Sequence, residues 1–275
     1  MRNKLFAFFI IFLFSCTSIR NSFSQCDFPK NSPFPGGVIN YPLNYSSFTE
    51  PKVRINKEVP YFCQKNKDEW RIIHPISLLE NQNSIDIFLN KKLIDKITLE
   101  RKEYRESKIF LKNKEMISPP PESLKRIKSE SSLIKDALKV NSLIKQPSLK
   151  MVLPCEGVIS SEFGVKRFIN NQPRNRHIGL DIAAREGTKV KAALKGKVIL
   201  TGEFYFAGKV IFIDHGKGLI SSYSHLNSVN VKKGQMVNKN KTIGLVGKTG
   251  RVTGAHLHWQ TFIKGIPVNP ELFLE

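Results

Sequence analysis

The residues best suited to chemistry are histidines, and they are clustered. Five of the six in this 275-residue chain, His177, His215, His225, His256 and His258, fall in its C-terminal part. Two spacings stand out: His177-Ile178-Gly179-Leu180-Asp181 and His256-Leu257-His258. In a β-strand the second spacing points both imidazoles to the same face. In the first, a fully extended strand would hold the two side chains about 13 Å apart, too far for one ion. The chain must therefore bend near Gly179, or His177 must sit on a loop that folds back. A hydrolytic zinc site needs three protein ligands and one open position. His177, Asp181 and one member of the His256/His258 pair meet that need, and the other member is left to handle a proton. A single histidine in a β domain is more often a hydrogen-bonded structural residue. The two spacings together point to a metal site, and to hydrolysis as its chemistry.

The elements that must position these residues are mostly strands. From Met151 onward the sequence is rich in Gly and in Val/Ile/Leu alternation with almost no helical pattern, which predicts a β domain. Two stretches in it echo each other: Arg185 to Val190 with Gly196 to Val198, and Lys232 to Val237 with Ile243 to Val246. Upstream, Glu122 to Ile144 carries apolar residues at mostly helical spacing after the triplet Pro119 to Pro121, a fitting helix entrance. From Asn31 to about Leu111, short β-rich runs (Val38 to Asn40, Glu69 to Ile73, Ser84 to Phe88, Leu93 to Thr98) alternate with Pro, Gly, Asn and Lys clusters. These predict a small β-sandwich. The expected organisation is a signal peptide over 1–25, an N-terminal β-sandwich-like domain over 27–115, a Pro-rich and helical connector over 116–148 and an antiparallel β domain over 150–275. The fold class is mainly β.

Lys and Arg outnumber Asp and Glu by 44 to 23, a net charge of +21 spread along the chain. Such a field attracts polyanions of any kind, so compartment decides the partner. Arg2 and Lys4 precede the unbroken apolar run Leu5 to Phe14, the pattern of a secretory signal and too short for a membrane-spanning helix. Export to the periplasm or cell envelope is expected, which argues against nucleic acid as a partner. Leu13-Phe14-Ser15-Cys16 resembles a bacterial lipoprotein cleavage box, giving lipidation at Cys16 and a membrane anchor. Phe14 is bulkier than that box usually accepts, and ordinary cleavage near Ser24 is the alternative. In an oxidising compartment Cys26, Cys63 and Cys155 can supply one disulfide and one leftover thiol, with the pairing open. The absence of any CxxC argues against a cysteine zinc site or a thioredoxin-like centre.

The strings His177 to Asp181, Ser222 to Leu226 and Gly250 to Trp259 together resemble the M23 family of zinc peptidases, the lysostaphin and LytM type. The resemblance extends over Leu153 to Phe273, and Pro119 to Ala137 is similar to the connector of an exported subgroup with an N-terminal β-sandwich. It implies one zinc ion per catalytic domain, with His177, Asp181 and His258 as ligands and His225 and His256 as the two other active-site histidines. No HExxH glutamate is present, so His225 and His256 become the groups that take the proton of the attacking water or stabilise the oxyanion. Arg167 and Arg174, in the stretch Arg167 to Arg176, and Tyr223 are expected to contact substrate. His215 is expected to be structural or to support the ligands, and His74 to be unrelated to the site. The implied activity is endopeptidase cleavage of the stem peptides or cross-links of peptidoglycan. The alternative is a catalytically silent LytM-type regulator that activates cell-wall amidases or meets division partners.

Overall fold

The computed structural model describes residues 26–56, 58–66, 68–110, 119–146 and 148–274. The expected signal segment, with Cys16, lies outside them.

Seven strands precede the helix: β1 (Val38–Leu43), β2 (Val53–Ile55), β3 (Tyr61–Asn66), β4 (Glu69–Pro75), β5 (Ser84–Leu89), β6 (Lys92–Thr98) and β7 (Glu106–Ile109). The first six form two antiparallel three-stranded sheets, ordered β1-β4-β3 and β2-β5-β6. Ile39, Phe62 and Ile72 of one sheet share a core with Val53, Ile55, Ile85 and Ile87 of the other, which makes the expected sandwich. Strand alternation gives β1-β4-β3 a second apolar face. Its Val38, Tyr61, Cys63 and Ile73 join the large core of the C-terminal β domain. The first sheet is therefore buried on both sides, and the sandwich is packed onto the C-terminal domain. Cys26 is disulfide-bonded to Cys63 at this junction, leaving Cys155 buried with its thiol pKa pushed up to about 12 by burial.

The helix α1 (Pro121–Leu138) opens on Pro in its first turn, with Glu122 there and Lys135 in its last turn, charges that suit the helix dipole. It stops six residues short of the expected Ile144, because Val140, Asn141 and Ser142 are weak helix formers. Ala137 is buried against Leu200, Phe204 and Phe212, while Leu124 and Leu133 stay exposed. Glu130 fixes the docking by accepting the Tyr205 N–H at 2.8 Å.

The C-terminal part contains β8 (Val158–Ser161), β9 (Lys166–Ile169), β10 (Gln172–Pro173), β11 (Leu180–Ala183), β12 (Lys189–Lys191), β13 (Gly196–Phe204), β14 (Gly208–Gly216), β15 (Leu219–Val229), β16 (Met236–Val237), β17 (Thr242–Val246), β18 (His256–Ile263) and β19 (Ile266–Val268). The main sheet runs β16-β13-β14-β15-β18-β11-β8, all antiparallel. The two echoing stretches pair crosswise, β12 with β17 and β16 with β13. The stretch from Arg167 to Arg176 is largely a hairpin of β9 and β10. Its two-residue turn, Asn170-Asn171, has φ of 49° and 64°, as a type I′ turn requires and as asparagine tolerates. On its other side β9 pairs in parallel with β7, so a strand contributed by the N-terminal half reaches into the C-terminal part.

Candidate active site

Three adjacent strands set the floor of the site. In the β11–β18 ladder Asp181 is opposite His258 and Ala183 is opposite His256, and in the β15–β18 ladder Ser224 is opposite His258. Opposed residues share a face and neighbours along a strand alternate. His256, His258 and Asp181 therefore face outward together, while Leu180, Ile182, Tyr223, Leu257 and Trp259 are buried on the other side. This corrects the expectation for Tyr223. Its hydroxyl accepts the Ala193 N–H at 2.8 Å inside the core, and burial pushes its pKa up to about 12, so it anchors the sheet instead of touching substrate.

His177 precedes β11, and the chain folds back between it and Asp181 as the spacing required. Gly179 makes that possible by its close approach to β18: a Cβ there would stand 2.6 Å from the Trp259 carbonyl oxygen and 2.8 Å from His258 Cε1. The His177 ring is buried, and its Nδ1–H donates to the Glu162 carbonyl at 2.7 Å, with Ser161 Oγ 3.1 Å from the same nitrogen. That contact leaves Nε2 unprotonated and turned inward.

The inward atoms converge. His177 Nε2 lies 3.0 Å from Asp181 Oδ1, His258 Nδ1 lies 2.6 Å from the same oxygen, and the two nitrogens are 3.1 Å apart. A tetrahedral ion with bonds of 2.0–2.1 Å spaces its ligand atoms about 3.3 Å apart, so expansion by about 0.2 to 0.7 Å fits two nitrogens and one oxygen around a zinc ion. No other group of three such donors converges in this way among the described residues. Burial works to raise the Asp181 pKa, but hydrogen bonds and charge from His177 and His258 outweigh it and hold the carboxylate well below its usual range. Its second oxygen, Oδ2, takes a 2.9 Å hydrogen bond from Arg167 Nη2. Arg167, expected to touch substrate, thus also supports Asp181.

His225 reaches the same face by an irregularity. Pairing of β15 with β18 ends at Ser224, and from Leu226 the strand pairs with β17 instead. At the switch His225 adopts φ of 63°, a left-handed conformation uncommon for a side chain other than glycine or asparagine. Its ring centroid lies 4.8 Å from that of His256 and 5.9 Å from that of His258. His225 Nδ1–H donates to the Thr249 carbonyl at 2.9 Å, and burial followed by repulsion from His258 and His256 lowers its pKa to about 3. His256 Nδ1–H donates to the Gly254 carbonyl at 2.9 Å, and its Nε2 is 3.8 Å from Asp181 Oδ1.

These groups open into a cleft of about 350 Å³ whose lining includes Asp181, His256, Arg167, Ser160 and Ser161, with Thr253 to Ala255 on one side. Arg105, just before β7, forms another wall with Ser107 and Ile109 of β7. Nothing in the sequence pointed to these three, since β7 is short and highly charged. Arg174 is exposed, bonds to Gln172 Oε1 at 3.0 Å and does not line the cleft. His215 is buried behind the sheet, between the Lys195 carbonyl at 2.8 Å and Ser221 Oγ at 2.7 Å, in line with a structural role. His74 is buried in the N-terminal sheet, apart from the site.

Comparison with known proteins agrees with this geometry. The model of peptidase family M23 matches residues 175–270, which include all three convergent residues and both further histidines. Peptidoglycan DD-endopeptidase ShyA of Vibrio cholerae is 42% identical over 112 residues, covering 40% of this chain and 26% of that protein. DD-carboxypeptidase/endopeptidase Mpg of Neisseria meningitidis is 38% identical over 112 residues, 41% of this chain and 26% of its own. The chain thus spans about a quarter of the length of these curated relatives. The similarity is far more extensive to a Pseudomonas aeruginosa crystal structure described as an M23 peptidase. It is 30% identical with a TM-score of 0.72, over 91% of this chain and 98% of that one. At that identity and coverage the chain belongs to peptidase family M23.

Proposed function

We propose that this protein is a zinc metalloendopeptidase that cleaves peptide bonds in the stem peptides or cross-links of peptidoglycan after export to the cell envelope. The observation that carries this reading is the convergence of His177 Nε2, Asp181 Oδ1 and His258 Nδ1 beside an open cleft. The Vibrio cholerae relative is named a peptidoglycan DD-endopeptidase and the Neisseria meningitidis one a DD-carboxypeptidase/endopeptidase, names that support this reading. The basic charge of the chain suits an anionic wall polymer.

His177, Asp181 and His258 would hold the metal, which when bound supplies a Lewis acid that acidifies water and polarises the scissile carbonyl. The protein's own groups do the rest. The Glu162 carbonyl fixes the His177 tautomer, and Arg167 holds the outer oxygen of Asp181. His225 and His256 each spend Nδ1–H on a backbone carbonyl, so each presents an unprotonated Nε2. One of them takes a proton from the attacking water and returns it to the leaving amine. The other, when it carries a proton on Nε2, donates to the carbonyl oxygen as charge develops there.

Incubation of the zinc-loaded protein with purified peptidoglycan, followed by mass spectrometry of released fragments, tests the proposal. Peptide-bond cleavage is expected, with a drop of roughly 100-fold or more for His225→Ala at unchanged zinc content. A zinc-loaded protein that leaves peptidoglycan intact and instead stimulates a cell-wall amidase would establish the regulator reading in its place.

A further inference from the structure

One wall of the cleft lies outside residues 175–270, where the family model matches, and it carries charge that the metal triad does not use. Arg105, Ser107 and Ile109 are alternate residues leading into and along β7, and all three line the cleft. The parallel register sets Ser107 opposite Arg167, so Arg167 shares their face, as its place in the same lining confirms. The cleft lining therefore holds two guanidinium groups and one carboxylate, Asp181, which belongs to the metal triad. The contact to Asp181 occupies Nη2 of Arg167, and a guanidinium carries five N–H donors in a planar fork. Arg105 pairs with Glu162 at 3.0 Å, but both side chains are 55% exposed, so this ion pair is weak and exchangeable. A third guanidinium, Arg251, stacks 4.3 Å from the Phe206 ring and lies close enough to Arg167 and Arg174 to feel their repulsion. Arg105 and Arg167 each keep N–H donors beyond their contacts with Glu162 and Asp181, which suits a bidentate carboxylate.

We propose that β7 and β9 build a carboxylate subsite from Arg105, Ser107 and Arg167, which binds a free carboxylate of the substrate peptide beside the scissile bond. The inference rests on the peptide-hydrolase reading above and adds to it which peptides are preferred. It also gives the N-terminal half a role in the reaction: its last strand is part of the substrate-binding wall.

The test uses the full zinc-loaded chain and two synthetic cross-linked stem peptides. They differ only in whether the carboxylate next to the scissile bond is free or amidated. A charge-assisted pair at this site is expected to raise kcat/KM for the free acid about 10-fold to 100-fold over the amide. Ser107→Asp, which sets a negative charge opposite Arg167, is expected to bring that ratio close to one while zinc content stays that of the wild type. Arg105→Gln is expected to lower the ratio in the same direction. Equal kcat/KM on the two peptides in the wild type, or a ratio unmoved by Ser107→Asp, overturns the subsite and leaves the hydrolase reading standing. If neither peptide is cleaved, the hydrolase reading falls. Equilibrium binding of the same pair then decides the subsite: tighter binding of the free acid supports it and equal affinity overturns it.

Discussion

Asp181 and His258 face each other across the β11–β18 ladder with Oδ1 and Nδ1 only 2.6 Å apart. His177 reaches the same oxygen from the loop before β11, because the chain folds back over β18 at Gly179. The site therefore depends as much on a missing side chain as on the three that are present.

Gly179→Ala places a methyl group 2.6 Å from a backbone oxygen and 2.8 Å from the His258 ring, and neither the ladder nor the ligand can yield without moving. Overpacking of this kind costs about 1–3 kcal/mol. A lower melting temperature and at least about tenfold weaker zinc binding, by chelator competition, are expected. Wild-type affinity in this variant would mean that the close approach does not set the ligand geometry.

The Cys26–Cys63 bond closes a loop with a sequence separation of 37 and ties the start of the described chain to the sheet that packs on the catalytic core. Removing it in Cys63→Ala is expected to lower unfolding free energy by about 2–4 kcal/mol in urea titrations under non-reducing conditions. Zinc content in the folded protein should not change.

His215 is fully buried, and burial lowers its pKa from 6.5 to about 4 in the folded state. Between those values the unfolded chain binds the proton and the folded one does not. Stability is then fully present above about pH 6.5 and is lost as pH falls towards 4, by about 3 kcal/mol for this residue. His74, whose burial lowers its pKa to the same value, adds to the trend. Urea unfolding at pH 7 and pH 4.5 should show a smaller loss in His215→Gln than in the wild type. An identical loss would remove His215 as its cause.

The convergence of His177, Asp181 and His258 was legible because HxxxD and HxH are short and each has a geometric consequence, including the fold-back at Gly179. Spacing alone left His256 and His258 equivalent, and only the family resemblance separated them. Strands with clear alternation, β1, β4, β5 and β6, were read from sequence. β2 has three residues, β3 ends in Gln, Lys and Asn, and β7 is half charged, so none of these offered a pattern. The error at Tyr223 has a local cause. In a regular strand Tyr223 and His225 would share a face, but the left-handed backbone at His225 sends its ring to the opposite side. The β7 wall was out of reach for a different reason: it comes from a pairing between strands about 60 residues apart, which no local pattern encodes.

His177, Asp181 and His258 are proposed to form one zinc site served by two histidines, His225 and His256, that do not bind the metal. Zinc measured per folded chain, in the wild type, His258→Ala and His225→Ala, tests it most directly. About one ion is expected in the wild type and in His225→Ala, and almost none in His258→Ala. Stoichiometric zinc in His258→Ala, or its loss in His225→Ala, would contradict the assignment.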